Sequence, residues 1–372
     1  MVNAPPPSIP RTSSPSPVPL VRPIIGRAEI TAVNRVLRSG QIAQGACVAQ
    51  FEAEFAAMCG VHEAIAVNSG TAALFIALLA HGIGPGDEVI TSPFTFAATA
   101  NAVLMTGATP VFADIRETDF NIDPDQIPAR ITPRTKAIIP VHLYGHPADM
   151  TRISEIAQER GVTVIEDACQ AHGAEWQGRR VGSFGTGCFS FYPTKNITTG
   201  EGGMVTTNDP QIAQRLHRLR SHGADRAYYH TELGYNFRMT DISAAIGLAQ
   251  LGRLDTFTRK RRANARYYGA HLTGVIIPVE LDGARHVYHQ YTVRVPEGRD
   301  LLQAKLAEQG IGSAVYYPVP LHHQPFYREL GYADSLPVAE AMARQVLSLP
   351  IWPGLTVSQR ERVARAVAAL AS

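Results

Sequence analysis

The stretch FSFYPTKNITTGEGG, residues 189–203, decides how the chain around it must fold. Its opening aromatic and apolar run is short and reads as a buried strand. Gly185 and Gly187 loosen the approach to that strand, and Pro193 ends it. A single lysine, Lys195, follows, and the next eight residues hold two Thr and three Gly. This layout sets a flexible amine at the mouth of a sheet, among hydroxyl donors and close-packed backbone. An amine desolvated there has a lowered pKa, as a nucleophile that forms a Schiff base requires. The same residues also suit a surface lysine in a turn, so the segment alone leaves both readings open.

Outward from this point the chain alternates helix and strand. Apolar spacing predicts helices over 28–39, 49–58, 71–80, 150–160 and 211–220, and a long one over 242–265 interrupted near Gly252. Short β-type runs fall at 88–90, 110–113, 137–141, 163–165, 188–191 and 203–206. Continuous Val/Ile-rich strands separated by helices predict an α/β fold, with a mostly parallel sheet covered on both faces. Ligands gather at the carboxyl ends of the strands in such sheets. Beyond about residue 268 the pattern changes to strands at 286–295 and 313–317 and helices at 301–308, 338–347 and 358–370, which reads as a smaller α+β domain. Residues 1–20 carry seven Pro and four Ser. The expected division is therefore a Pro-rich disordered arm over 1–22, a large domain over 23–267 and a small domain over 268–372.

Length and composition narrow the function class. A chain of 372 residues suits about two domains. A net charge of +2 supplies no electrostatic drive toward nucleic acid or anionic membrane. The basic run Arg259-Lys260-Arg261-Arg262 lies in a helical stretch and reads as a solvated face. Cys47, Cys59, Cys169 and Cys188 show no metal spacing and read as buried free thiols of a reducing compartment. No apolar run approaches a membrane span and the N-terminus lacks the order of a secretion signal, so a cytoplasmic location is expected.

Two further segments carry chemistry. NSGTAAL (68–74) sets Ser-Gly-Thr directly before the apolar helix. The first turn of a helix offers unpaired N–H groups and a positive dipole end, and Gly70 lets an anion approach the backbone beside the Thr71 hydroxyl. An ordinary N-cap is the competing reading. VIEDACQAHGA (164–174) sets Asp167 at the end of a buried strand, with Gln170 and His172 downstream. A buried carboxylate needs a cationic or hydrogen-bonding partner, and a pyridinium nitrogen is one such. A helix cap suits Asp167 equally, whereas a metal site from Asp167 and His172 lacks a third ligand. Jointly, the chain offers a helix N-terminus for phosphate, a strand-end Asp, and a Lys 28 residues after it. These are the three attachment points of pyridoxal 5′-phosphate.

NSGTAAL, GDEVITSPFTFAATANAV, IPVHLYG, EDACQAHGA, FSFYPTKNITTGEGGM, GYNFRMTD and LPIWP resemble the sugar aminotransferases of the DegT/DnrJ/StrS family, from about Pro23 to the end. The resemblance implies the fold type I pyridoxal-phosphate architecture, a homodimer with shared active sites, and amination of a keto sugar, usually nucleotide-linked, by a donor such as L-glutamate. It makes Lys195 the cofactor-bearing lysine and Asp167 the partner of the pyridine nitrogen. It puts Gln170 beside the ring, Phe96 on the ring face, and Gly70, Thr71 and Ser190, with Ser183, at the phosphate. Asn236 of GYNFRMTD would reach the phosphate in the other subunit. Tyr317, His322 and His323, in the Pro-rich loop YYPVPLHHQP (316–325), are expected to line the sugar or nucleotide pocket; for the two histidines a surface position suits the loop equally.

Several activities compete on such a scaffold. Related sugar dehydratases carry His where Lys195 stands. A cysteine desulfurase needs a mobile catalytic Cys, and none of the four here lies in an obvious flexible loop. A regulatory role sits poorly with an intact Lys, Asp and Ser-Gly-Thr set. An inosose is the alternative acceptor to a nucleotide sugar.

Overall fold

The computed structural model describes residues 16–371. Seven strands form the main sheet: β1 (Glu63–Val67), β2 (Glu88–Thr91), β3 (Thr109–Phe112), β4 (Thr135–Ile139), β5 (Thr163–Asp167), β6 (Thr186–Ser190) and β7 (Gly203–Thr207). Their spatial order is β1-β7-β6-β5-β4-β2-β3. Neighbours from β3 to β6 are parallel, and β7 runs antiparallel to both β6 and β1. The expected mostly parallel sheet is present, with β1 added to it.

Helices cover both faces: α1 (Arg27–Ser39), α2 (Ala46–Cys59), α3 (Gly70–Ala80), α4 (Ala98–Met105), α5 (Met150–Arg160), α6 (Pro210–Arg220), α7 (Asp241–Leu251) and α8 (Leu254–His271). Strand side chains alternate between the two layers. Ile65 and Val67 of β1 join the core of α3 and α6, while Ala64 and Ala66 join that of α2, α7 and α8. Nine residues of α3 are buried, because it lies between the sheet and both α4 and α6. The Ser69 side chain caps it, accepting from Ala72 N–H at 3.1 Å.

The smaller lobe pairs β8 (Tyr291–Arg294) antiparallel with β9 (Val346–Leu349). It also contains α9 (Arg299–Glu308), α10 (Pro325–Glu329), α11 (Pro337–Gln345) and α12 (Val357–Leu370). Helix α8 belongs to both lobes: Phe257 packs in the core under the sheet and Tyr268 in that of the small lobe. The boundary expected at residue 268 therefore falls inside one continuous helix.

Other expectations fail for physical reasons. Residues 16–22, read as part of a disordered arm, are held: Val18 is buried, donates to Gly310 O at 2.8 Å and accepts from Gly312 N–H at 2.8 Å. Residues 1–15 lie outside the described part. Arg261 does not sit on a solvated face. It is buried and donates to the carbonyls of Tyr288, His289 and Ile351 at 3.0, 3.1 and 2.7 Å. The helix expected over 338–347 stops at Gln345, and Val346 starts β9. Of the strand expected over 313–317, only Ala314 bridges, to Ser348.

Candidate active site

Strands β5 and β6 are neighbours in parallel register, with Asp167 opposite Cys188, so their carboxyl ends open at one edge. Lys195 sits there, in the loop that follows β6. The loop is tightly held: Lys195 N–H donates to Tyr192 O at 2.9 Å and the Thr198 hydroxyl to Phe191 O at 2.7 Å. The Thr199 hydroxyl donates to Glu201 O at 2.7 Å. Both threonines thus bind their own loop, which fixes the lysine rather than offering donors to a ligand. Burial lowers the Lys195 amine below the ordinary lysine pKa, and nearby Cys169 and Asp167 oppose that shift. More of the amine is therefore uncharged near neutral pH than for a free lysine.

Asp167 ends β5 and is 5% exposed. Its Oδ2 accepts from the Thr99 hydroxyl at 2.7 Å and its Oδ1 from Cys169 N–H at 3.2 Å. Thr95 Oγ1 lies 3.0 Å from Thr99 Oγ1, extending the chain of hydroxyls. No helix starts at Asp167, so it caps none. Sequence reasoning missed Thr99 and Thr95, although both lie in the quoted stretch 86–103.

The first turn of α3 meets the end of β6 closely. A Cβ at Gly70 would lie 2.6 Å from Ser190 Cβ and 3.2 Å from its Oγ. Only glycine allows this approach, which brings the first turn of α3, with its unpaired N–H groups, close to Ser190. Ser190 Oγ accepts only a long contact from Tyr192 N–H, at 3.4 Å, so its own hydrogen is free to donate. Ser183 is elsewhere. It precedes β6, at the opposite end of that strand from Ser190, where its hydroxyl donates to Arg180 O at 2.7 Å and accepts from Arg179 Nε at 3.1 Å. The turn uses it fully, so it is withdrawn from the phosphate set. Asn236 is exposed, and its carbonyl receives Asn68 Nδ2 at 3.5 Å, just before α3.

Phe96 lies in the loop after β2 and is 60% exposed, which is incompatible with a core aromatic. Its ring centre is 6.4 Å from that of Tyr317. Gln170 is locked between two elements: Oε1 accepts from Tyr144 N–H at 2.9 Å, and Nε2 donates to the Tyr317 hydroxyl at 3.2 Å. Tyr144 in turn donates its hydroxyl to Tyr316 O, a second link that sequence reasoning missed. Of the two histidines, His322 departs from both expected positions, pocket and surface. His322 is completely buried, packs near Phe112 and turns Nε2 toward Glu340, so it does not join Tyr317 at the pocket. His323 also faces Glu340, at 3.5 Å.

These donors match pyridoxal phosphate pole by pole. The tight cradle of Gly70, Thr71 and Ser190 suits a phosphate. A carboxylate with lone pairs to spare suits a protonated ring nitrogen, and a desolvated amine suits an aldehyde. The sheet, with this set at its carboxyl edge, defines the class: a fold type I pyridoxal-phosphate enzyme. Residues 23–368 match the DegT/DnrJ/EryC1/StrS aminotransferase family, and the chain belongs to it. The "Pleiotropic regulatory protein" of Geobacillus stearothermophilus is 47% identical, covering 90% of this chain and 92% of that one. The dTDP-3-amino-3,4,6-trideoxy-alpha-D-glucose transaminase of Streptomyces venezuelae is 46% identical, covering 92% of each. The crystal structure of S. venezuelae DesV with a bound reaction intermediate superposes with a TM-score of 0.89 at 45% identity, covering 92% of this chain and 94% of that one. Other solved neighbours carry the cofactor in its pyridoxal and pyridoxamine forms. The protein is a pyridoxal-phosphate-dependent sugar aminotransferase.

Proposed function

We propose that the protein transfers an amino group from L-glutamate to a nucleotide-linked keto sugar of the 3- or 4-keto-6-deoxyhexose type, in amino-sugar biosynthesis. The observation that carries this reading is the placement, where two adjacent strands end, of a partly buried lysine whose amine pKa burial lowers and a carboxylate oriented by Thr99 and Cys169 N–H. The name of the S. venezuelae relative, a transaminase of a dTDP-linked sugar, supports the nucleotide-linked class over an inosose. Glutamate as donor rests on family resemblance.

The bound cofactor supplies an electron-withdrawing ring that stabilises a carbanion at the donor Cα. Asp167 would hold the ring nitrogen protonated, with Thr99 and Cys169 N–H keeping its two oxygens in place. Gly70, Thr71 and Ser190 would hold the phosphate. Phe96 would pack against the ring, and Gln170, fixed by Tyr144 and Tyr317, would offer it a polar contact. With the cofactor bound, Lys195 Nζ would remove the donor Cα proton and, in the second half-reaction, would deliver a proton to the sugar carbon that receives the amine.

We further infer a homodimer in the cytoplasm. Tyr228 and Leu233 are 98% and 78% exposed and precede the exposed Asn236 in one segment of the chain, an apolar exposure suited to burial against a second copy. The four free cysteines and the lack of any described helix long and apolar enough to cross a membrane are consistent with that compartment.

The test uses purified protein. It should absorb visible light with pyridoxal phosphate, and borohydride should fix one cofactor on Lys195, read by peptide mass. L-Glutamate should bleach that absorption, and a panel of dTDP-, UDP- and GDP-linked keto sugars should restore it selectively. Restoration by inososes alone would overturn the substrate class, and failure of glutamate to bleach would overturn the donor.

A further inference from the structure

Away from the lysine, one place among the described residues gathers three possible metal donors: His322, His323 and Glu340, whose ligand atoms all lie within 4.8 Å of one another. The two imidazoles converge on a single carboxylate oxygen. His322 Nε2 is 3.3 Å and His323 Nε2 3.5 Å from Glu340 Oε1. Charge-assisted hydrogen bonds of this kind close to about 2.7–2.9 Å. A zinc ion roughly 2.0–2.2 Å from each donor, in tetrahedral geometry, sets donors about 3.3–3.6 Å apart instead. Both measured separations lie in that second range.

The surroundings suit an ion. His322 is completely buried, and its Nδ1 has no hydrogen-bond partner among the described residues, so the ring's only polar contact is the one Nε2 makes toward Glu340. Glu340 is fixed in place by the Leu336 N–H, which donates to Oε1 at 3.0 Å. The side chains of His323 and Glu340 remain 31% and 22% exposed, which leaves an entry path and a fourth position open to water. Two imidazoles and one carboxylate make a three-ligand set of the kind that holds zinc with one open position.

We propose that His322, His323 and Glu340 bind one zinc-like divalent transition-metal ion, outside the aminotransfer site. The ion would staple the turn at 321–323 to α11. That turn follows Tyr317 in the chain and is tied to the loop of Phe96, because Leu321 N–H donates to Pro93 O at 2.8 Å. Zinc occupancy therefore stiffens two loops that border the substrate space.

The experiment titrates chelator-cleared holoenzyme with zinc chloride against a chromophoric zinc indicator, alongside His323→Gln and Glu340→Gln, with circular dichroism as a check on folding. One equivalent should bind at micromolar zinc, with affinity lowered at least about tenfold in both variants. Hundredfold saturation should raise Tm of the native protein by roughly 3 °C and leave His323→Gln unmoved. Equal affinity in His323→Gln, as expected for zinc on a cysteine or on the cofactor phosphate, would overturn the proposal. So would the absence of binding at micromolar zinc.

Discussion

Glu166 and Asp167 are consecutive residues of β5, pointing to opposite faces of one sheet, and they are put to opposite uses. Glu166 is fully buried and saturated: it accepts from Gly182, Phe184 and Gly185 N–H at 2.7, 2.7 and 2.9 Å and meets His142 Nε2 at 3.1 Å. Those four partners fill the lone pairs a carboxylate has. Asp167 has two donors and keeps the rest of its capacity for something not belonging to the chain. A carboxylate saturated by backbone clamps a turn. One left half-satisfied beside a desolvated amine awaits a cationic ligand.

The largest effect should come from Lys195→Ala, which removes the amine itself. Turnover should fall by roughly 10^4-fold, with no borohydride-fixed cofactor and an unchanged melting curve. The contrast on β5 is tested next. Asp167→Asn should cost about 10^2–10^3-fold in kcat at nearly native stability, since an amide cannot hold a ring nitrogen protonated. Glu166→Gln should do the reverse. Its amide must point hydrogens at backbone donors, so urea unfolding should show a loss of roughly 3 kcal/mol or more while folded molecules retain their turnover. Equal loss of stability in the two variants would erase the distinction between the faces.

Thr99→Val leaves Asp167 in place without its shorter hydrogen bond. A loss of roughly tenfold in kcat is expected, recovered in Thr99→Ser. The smallest effect is in pH. Because burial lowers the Lys195 pKa, uptake of pyridoxal phosphate by apoprotein should rise with pH through a midpoint below that of an ordinary lysine. A midpoint at or above the ordinary value would mean that the amine is solvated.

Legibility in the sequence followed the range of the interactions. Helix α3 and strands β2 to β7 were readable within a residue or two, because their signals are local apolar runs closed by Gly, Pro or a cap. Strand β1 escaped notice because EAIAV is short and only three residues separate it from α2. The first half of strand β9 was absorbed into the helix expected over 338–347, because Val346 and Leu347 extend the apolar spacing of α11. Lys195, Asp167 and the Gly70 turn were visible as local motifs, and family resemblance joined them. Thr99 was not, since its carboxylate lies 68 residues away in sequence. Ser183 was expected at the phosphate from the family resemblance alone, and no local signal showed that Arg179 and Arg180 engage its hydroxyl.

Arg261 carries a mechanical consequence. Its guanidinium rivets α8, which starts under the main sheet, to carbonyls at residues 288, 289 and 351 of the other lobe. Swinging one lobe against the other would strip a buried cation of three acceptors, and among the described residues no carboxylate pairs with it. The two halves therefore travel as one casting, and adjustment to differently shaped sugars falls to the rim: the peptide around Phe96 and the turn beyond Tyr317.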